Sequence, residues 1–408
     1  MEKILCPFCL KKFDNKKAKL ICRDTARKCR RASTTEYCEY WGLSKDNPSA
    51  IRPHVYDGGW SLWGPAKIKP CPICGDDAPF YVCPHCHNEL PYDMVQYGTD
   101  IIPIIGGPAV GKTCYIVALL NQLNKYGYKI NLVSSFSSMW GNESAKTFKE
   151  MESRLFKDHQ LLEKTAPRDD GKSAPWFIKI ENKNARKKVR PTYLIFYDIA
   201  GEQFMDAQTM SRLAAPVHHA SGAIVLLDAL DIPQVQKVMK EAGIIDYENH
   251  FSISQTINEL LCLSSEEATR QVLKDRPIAF AFSKSDVIDQ FRSSLGTFGE
   301  TIDMKQNSNF VSPKFGLNNY RKTHFIQFLN ECKQMDAGFK MALRECGMEE
   351  LVGNNKWAED NICFFGISAL GQAPETDFTI QTENITPYRV LDPLIWILHK
   401  LDKLEIPE

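Results

Sequence analysis

The sequence predicts an α/β fold, a mainly parallel sheet with helices on both faces, preceded by a small metal-pinned module over residues 1–98. Three observations predict it. From Ile101 onward, short apolar segments alternate with stretches whose apolar residues recur at helical spacing, the pattern of strand–helix–strand units. A glycine-rich loop, Gly106 to Thr113, falls between the first of those strands and the first of those helices. Nine of the fourteen cysteines lie before residue 90, several of them as Cys-x-x-Cys.

Bulk properties narrow the class. With 408 residues, 43% hydrophobic and 25% charged, the chain has the composition of a soluble globular protein rather than a disordered one. Lys plus Arg and Asp plus Glu are both 50, so no bulk charge draws the chain to nucleic acid or to a membrane surface. A nucleic-acid partner is thus unsupported by net charge, and no membrane partner is expected. No apolar run approaches the roughly eighteen residues of a membrane span, and MEKILCPFC lacks the order of a secretory signal. A cytoplasmic location is expected. In such a reducing compartment, Cys-x-x-Cys pairs point to metal rather than to disulfides.

Taken in order, the module is rich in Cys, Pro, Lys and Gly, with an irregular stretch from Leu43 to Pro70 that holds Trp60 and Trp63. Together with Trp41 these tryptophans are expected to fill a small core, the alternative being an exposed contact surface. Ile101 to Ile105 then reads as a strand, and Tyr115, Ile116, Leu119, Leu120 and Leu123 mark one face of a helix. Further strands are expected at Trp176 to Glu181, Thr192 to Asp198, Ala223 to Asp228, Ile278 to Phe282 and Ile362 to Gly366. Pro103 sits oddly inside the first strand because it removes a ladder donor; a bulge or a late strand start would absorb it. Residues 99–408 form the second domain, with mostly helical inserts near 229–275 and 287–360. At its end, Asp392-Pro393 opens a helix whose Leu394, Ile397, Leu398 and Leu401 should face the sheet.

The loop GGPAVGKT fits G-x-x-x-x-G-K-[ST], in which glycines let backbone N–H groups point at phosphates while the following helix adds its positive end. Its residues Gly106, Gly107, Pro108, Ala109, Val110, Gly111, Lys112, Thr113 and Cys114 are therefore candidate nucleotide contacts. Lys112 would reach the β- and γ-phosphates, and Thr113 would ligate Mg²⁺. TYLIFYDIAGE delivers Asp198 at a strand end, with Gly201 three residues on; the carboxylate would hold Mg²⁺ and the Gly201 N–H would sense the γ-phosphate. IAFAFSKSD places Ser283, Lys284 and Asp286 after another strand, an [NT]KxD-type pattern with Ser in place of Asn. A carboxylate at Asp286 accepts from guanine N1–H and the exocyclic amine together, a donor pair adenine lacks. In FFGISAL, Ser368 and Ala369 would bring a backbone N–H to the guanine O6.

In this order and placement the four motifs resemble Ras-like P-loop GTPases of the TRAFAC class. With the cysteine-rich head, the DIAGE switch and the closing RVLDPLIW helix, the chain is similar to bacterial double-GTPase-type proteins of conflict or defence gene clusters. The resemblance implies GTP/GDP and Mg²⁺ as cofactors and a regulatory GTPase in a multi-protein bacterial system. It also implies where the chain departs from the pattern. Glu202 occupies the position of the water-orienting glutamine, so slow intrinsic hydrolysis is expected beside a charged γ-phosphate. Thr165, chosen over Thr147, would be the switch threonine; Arg168 reads first as a solvated arginine, with an internal arginine finger as the alternative. The rival reading is a zinc-dependent module for nucleic acid or protein, with a hydrolysis-deficient GTPase domain as a nucleotide-stabilised scaffold.

Cys71-Pro-Ile-Cys74 and Cys83-Pro-His-Cys86 suggest one closed, structural four-thiolate Zn²⁺ site. A second Zn²⁺ would use Cys6, Cys9 and Cys22 with Cys29 or Cys38, Cys29 being favoured; an interleaved arrangement would instead join Cys6 and Cys9 to Cys71 and Cys74. His85 and His87 are read as bystanders. Protein partners are expected at the zinc module and the helical inserts.

Overall fold

The computed structural model describes residues 3–24, 29–45, 47, 51–77, 79–107, 109–136, 141–162, 176–182, 192–196, 217–243, 253, 256, 275–301, 322–352, 359–372 and 385–404. Its head is built from very short strands: β1 (Lys3–Leu5) and β2 (Lys12–Asp14) form a hairpin, and β4 (Arg30–Ala32) pairs with β5 (Ile51–Pro53). β3 (Lys19–Ile21) lies between β6 (Val55–Asp57) and β7 (Phe80–Val82), and β8 (Glu89–Leu90) completes that sheet. Two short helices, α1 (Thr35–Trp41) and α2 (Tyr92–Tyr97), accompany them. Strands of two or three residues bury too little to hold a fold by themselves, so something else must pin the head.

Pro103 explains how the larger sheet is put together. β9 (Asp100–Ile101) and β10 (Ile104–Gly106) are one strand interrupted at Ile102-Pro103, and each half has its own neighbour. β9 runs parallel to β13 (Thr192–Phe196), which continues antiparallel through β12 (Trp176–Asn182) to β11 (Leu132–Phe136). β10 runs parallel to β14 (Ala223–Asp228), followed by β15 (Ile278–Ser283) and β16 (Ile362–Gly366). At the break Ile102 N–H still donates to Ile195 at 3.3 Å, and the Pro103 carbonyl still accepts from Ile224 N–H at 3.0 Å. The missing proline donor therefore costs the sheet one ladder position, at the point where the partner strand changes. Neither a bulge nor a late start is needed. β11 has no counterpart among the expected strands.

β14, β15 and β16 are buried at every position, which is why they read as unbroken apolar runs: both faces of the sheet are covered. Alternation sorts their side chains. Ile195, Val225, Leu227, Phe280, Phe282 and Phe364 face one core; Leu194, Ile224, Leu226, Ala279, Ala281 and Phe365 face the other. The second face is covered by α3 (Lys112–Tyr126) and by the closing helix Asp392–Lys400, as the sequence pattern anticipates. The first is covered by helix Pro233–Glu241 and by the head itself, through Phe13, Leu20, Tyr81, Leu90, Met94 and Val95. The head and the sheet thus share one hydrophobic core. The long helix Lys322–Glu345 lends Phe325, Phe328 and Cys332 to one face and Met335, Phe339 and Leu343 to the other, bridging the two at the β16 edge. There the Asp336 carboxylate accepts from Phe364 N–H at 2.9 Å, satisfying an edge donor that no further strand among the described residues reaches.

The tryptophans divide. Trp41 packs against the head core and donates to the Asn88 side chain at 2.9 Å, but Trp60 and Trp63 project into solvent, so only the first fills a core. Among the described residues no helix is long and apolar enough to cross a membrane.

Candidate nucleotide site and cysteine clusters

The loop from Gly106 to Thr113 leaves the C-terminal end of β10, where ligands bind in open α/β sheets. Gly106 is required by proximity: a Cβ there would lie 2.8 Å from the Leu226 carbonyl oxygen of β14 and 2.9 Å from Val110. Gly111 has a φ of 87°, and Ala109 also takes up the left-handed region at 56°, so the backbone curls back on itself before α3 begins. No side chain caps the N-terminus of α3, whose positive dipole end faces the loop. Lys112 is buried, and its ammonium donates to the Gly106 and Gly107 carbonyls at 2.8 Å each, so the charge is already inside the curl. Concave backbone, helix N-terminus and a buried ammonium are the groups with which a site can receive phosphate oxygens. Pro108 of this loop lies outside the described residues, as do Thr165, Arg168, Asp198, Gly201 and Glu202.

The second cluster stands at the same edge of the sheet, because Asp228 pairs in register with Ser283, and Phe282 with Gly366. Ser283 is buried and its hydroxyl donates to the Leu227 carbonyl at 3.2 Å, so it ties β15 to β14 instead of reaching outward. Lys284, at a φ of 55°, pairs its ammonium with the Asp228 carboxylate, whose other oxygen accepts from Leu230 N–H at 3.0 Å. The Asp286 carboxylate accepts from the Ser368 hydroxyl at 2.7 Å, and that hydroxyl oxygen accepts in turn from Gly371 N–H at 2.7 Å. The Ser368-Ala369 loop is itself held by paired backbone bonds between Ser368 and Tyr388 at 3.0 and 3.1 Å. Gly371 belongs to the same clasp: with a φ of 82°, its Cβ would meet the Thr386 carbonyl at 2.4 Å. Burial raises Asp286 above the usual carboxylate value, opposed by the Ser368 hydrogen bond and by Lys284. Burial, reinforced by Asp228, pushes Asp231 up to about 7.

Four of the expected site residues, Ser283, Lys284, Asp286 and Ser368, lie together in this cluster. Three were not anticipated as site residues. Asp228 is legible only as an acid at the end of a strand whose neighbour carries Lys284, Asp231 only as the acid one turn later, and Tyr388 not at all without the fold.

Eight thiols form two groups, and the grouping differs from both arrangements read from spacing. Cys6 and Cys9 join Cys83 and Cys86; Cys22 and Cys29 join Cys71 and Cys74, the ligand atoms of each set lying within 4.8 Å of one another. The sets with Cys71, Cys74, Cys83 and Cys86 together, or with Cys6 and Cys9 beside Cys71 and Cys74, do not form. The reason is the antiparallel β3–β7 ladder, in which Lys19 faces Val82 and Ile21 faces Phe80. It sets Cys22, just past β3, beside the segment entering β7, and Cys83, just past β7, beside the segment entering β3. The pairs are nested, the first with the fourth and the second with the third.

Each Cys-x-x-Cys turn is closed in the same way. Leu10, Gly75 and His87 adopt positive φ and return their N–H groups to the carbonyls of Cys6, Cys71 and Cys83 at 2.9, 2.9 and 3.0 Å. The first set shows S···S distances of 3.7 Å (Cys6 to Cys86) and 3.8 Å (Cys9 to Cys83), the second 3.4 Å (Cys22 to Cys74) and 3.5 Å (Cys29 to Cys71). A tetrahedral Zn²⁺ with Zn–S near 2.3 Å sets its sulfurs about 3.8 Å apart. Both sets could bind zinc: the first has that spacing and the second is slightly contracted. Cys29 rather than Cys38 belongs to the second set, and the His87 ring hydrogen-bonds Thr34 at 2.7 Å outside both sets.

Residues 100–331 match the family described as Double-GTPase 2. Among solved structures, the GTPase-like domain of S. cerevisiae Ski7, bound to GDP and inorganic phosphate, is 14% identical, with a TM-score of 0.33 over 75% of this chain and 51% of that one. This chain therefore spans about half the length of that structure. A putative nucleolar GTP-binding protein 1 from Plasmodium falciparum is 10% identical, with a TM-score of 0.22 over 66% of this chain and 77% of that one. A probable GTP-binding protein engB is 12% identical, with a TM-score of 0.24 over 74% and 99%. None of the curated proteins matches the chain.

Proposed function

The chain belongs to the Double-GTPase 2 family, and on that premise we propose that it is a GTP-binding and GTP-hydrolysing switch. One observation carries the reading. The phosphate receptor after β10 and the Asp286–Ser368 cluster after β15 and β16 stand at the same edge of one parallel sheet, as the two ends of a nucleotide site. Lys112 and the α3 N–H groups would bind the β- and γ-phosphates, and Asp286, steadied by Ser368, would accept from the guanine N1–H and amine. Thr113 and Asp198 would hold Mg²⁺, which supplies charge neutralisation at the phosphates when bound. Thr165 and Gly201 would report the γ-phosphate to the segments that carry them, and Glu202 would position the attacking water poorly, giving slow turnover.

The inserts and the zinc module would engage protein partners in the cytoplasm, in the multi-protein bacterial setting that the double-GTPase resemblance implies. Cysteines grouped in fours, as metal ligands are, support a reducing compartment. A second reading, a zinc-dependent binding module with a hydrolysis-deficient scaffold, draws on Glu202 in place of glutamine; measured GTP turnover separates the two.

Lys112→Ala removes the buried ammonium from the loop. Calorimetry should show GTP affinity falling by roughly 100-fold or more, with the fold intact by circular dichroism. Unchanged affinity would end the assignment of this loop as the phosphate site.

A further inference from the structure

The loop between β6 and β7 presents an apolar tip that the nucleotide reading does not use. Trp60, Leu62 and Trp63 are 80%, 59% and 87% exposed, and Ile68 follows at 39%. The tip is braced rather than loose: Gly59 and Lys67 exchange backbone bonds at 2.7 and 2.9 Å, Lys16 donates to the Leu62 carbonyl at 3.0 Å, and the Ser61 hydroxyl donates to the Trp63 carbonyl at 2.7 Å. Large apolar side chains held outward on a braced loop keep an unfavourable contact with water that only a partner removes.

The charge around the tip says which partner. From Gly58 to Lys69 the chain has no acidic residue, and exposed Lys67 and Lys69 are joined by exposed Lys16 and Lys17 from the neighbouring segment. Of the acids flanking these segments in sequence, Asp14 accepts from Lys16 N–H at 2.9 Å and the exposed Asp57 lies 3.8 Å from Lys19, so the lysines outnumber them. A tip mixing indole rings with Leu and Ile and flanked by exposed lysines matches the interfacial zone of a bilayer, where indoles partition and anionic headgroups meet lysines. Single-stranded nucleic acid would use the two indoles but leaves Leu62 and Ile68 without a role.

We propose that this tip docks the protein peripherally on an anionic lipid surface. The neutral net charge does not oppose this, because the patch is local and its field decays within a Debye length.

Sedimentation of the full chain, without nucleotide, with vesicles of phosphatidylcholine alone or with about 30% phosphatidylserine tests it. The chain should sediment with the anionic vesicles, less so as salt rises, and not with the neutral ones. Trp60→Ser with Trp63→Ser, and separately Lys67→Glu with Lys69→Glu, should each lower partitioning roughly tenfold or more. Because these side chains are exposed, thermal unfolding and zinc content should match the wild type. No sedimentation with anionic vesicles at low salt, or variants that partition like the wild type, would overturn the proposal. Tryptophan-dependent binding of a single-stranded oligothymidine without vesicle binding would overturn it in favour of nucleic acid.

Discussion

The two cysteine clusters have the same chemistry and different neighbours. The cluster of Cys6, Cys9, Cys83 and Cys86 is part of the continuous core that runs through Met94 and Val95 to Ile101, Tyr193 and Ile195 of the sheet. The cluster of Cys22, Cys29, Cys71 and Cys74 forms a small group of its own, packed chiefly against Tyr56. One set belongs to the core it shares with the large sheet, and the other to a small core of its own within the head. The difference teaches that a metal site's reach is set by the core it touches, not by its ligands. A head whose strands are too short to fold unaided still bears on the sheet, because α2 lies on it and Asp93 pairs with Lys179 of β12.

The largest expected effect follows from that shared core. Cys83→Ser should remove one Zn²⁺ and lower the stability of the whole chain by about 4 kcal/mol or more. GTP affinity should fall with it, since β9 and β13 share that core. Elemental analysis, thermal unfolding and calorimetry on the same sample check all three; an unchanged melting temperature would break the comparison.

Cys74→Ser should also remove one Zn²⁺, but with loss of structure confined to the head and GTP affinity within about twofold of wild type. Amide exchange would locate the loss. Equal effects of the two substitutions would show that both clusters support the sheet alike.

The smallest effect is confined to the sheet body and should be blind to zinc. Asp231, raised to about 7 by burial and by Asp228, binds its proton more tightly in the native state than in the unfolded chain, where a carboxyl titrates near 4. Its stabilising contribution is therefore complete below about pH 4 and is lost as pH rises through about 7. Asp231→Asn should make the protein more stable than wild type near pH 8, by about 1 kcal/mol once partial exposure is discounted, and less so near pH 6. Urea titrations at the two pH values measure the difference.

What the sequence showed plainly was written in contiguous residues, although the contiguous strand β11 was not anticipated. The phosphate loop is eight neighbours in a row whose glycines do local work, and β14, β15 and β16 announce themselves as unbroken apolar runs because helices and the head cover both faces. The zinc pairing was illegible because it depends on which strands pair. Four Cys pairs admit several groupings, and only the β3–β7 register selects the nested one. The same holds for the Ser368 clasp, whose partner Tyr388 lies twenty residues on with no motif to mark it. Pro103 read as a flaw in one strand; it is where that strand changes partners. Trp60 and Trp63 misled because indole is usually buried, and a single sequence does not show that their loop turns outward.

The central claim is that the edge of the sheet receives a guanine nucleotide, and competition binding of GTP, ATP and xanthosine triphosphate to wild type and Asp286→Asn tests it most directly. Wild type should prefer GTP over ATP by roughly 100-fold or more, and Asp286→Asn should lose GTP and gain xanthosine triphosphate, whose carbonyl accepts from an amide where guanine's amine donated to the carboxylate. Wild type binding ATP as tightly as GTP, or Asp286→Asn leaving GTP affinity unchanged, would contradict the account.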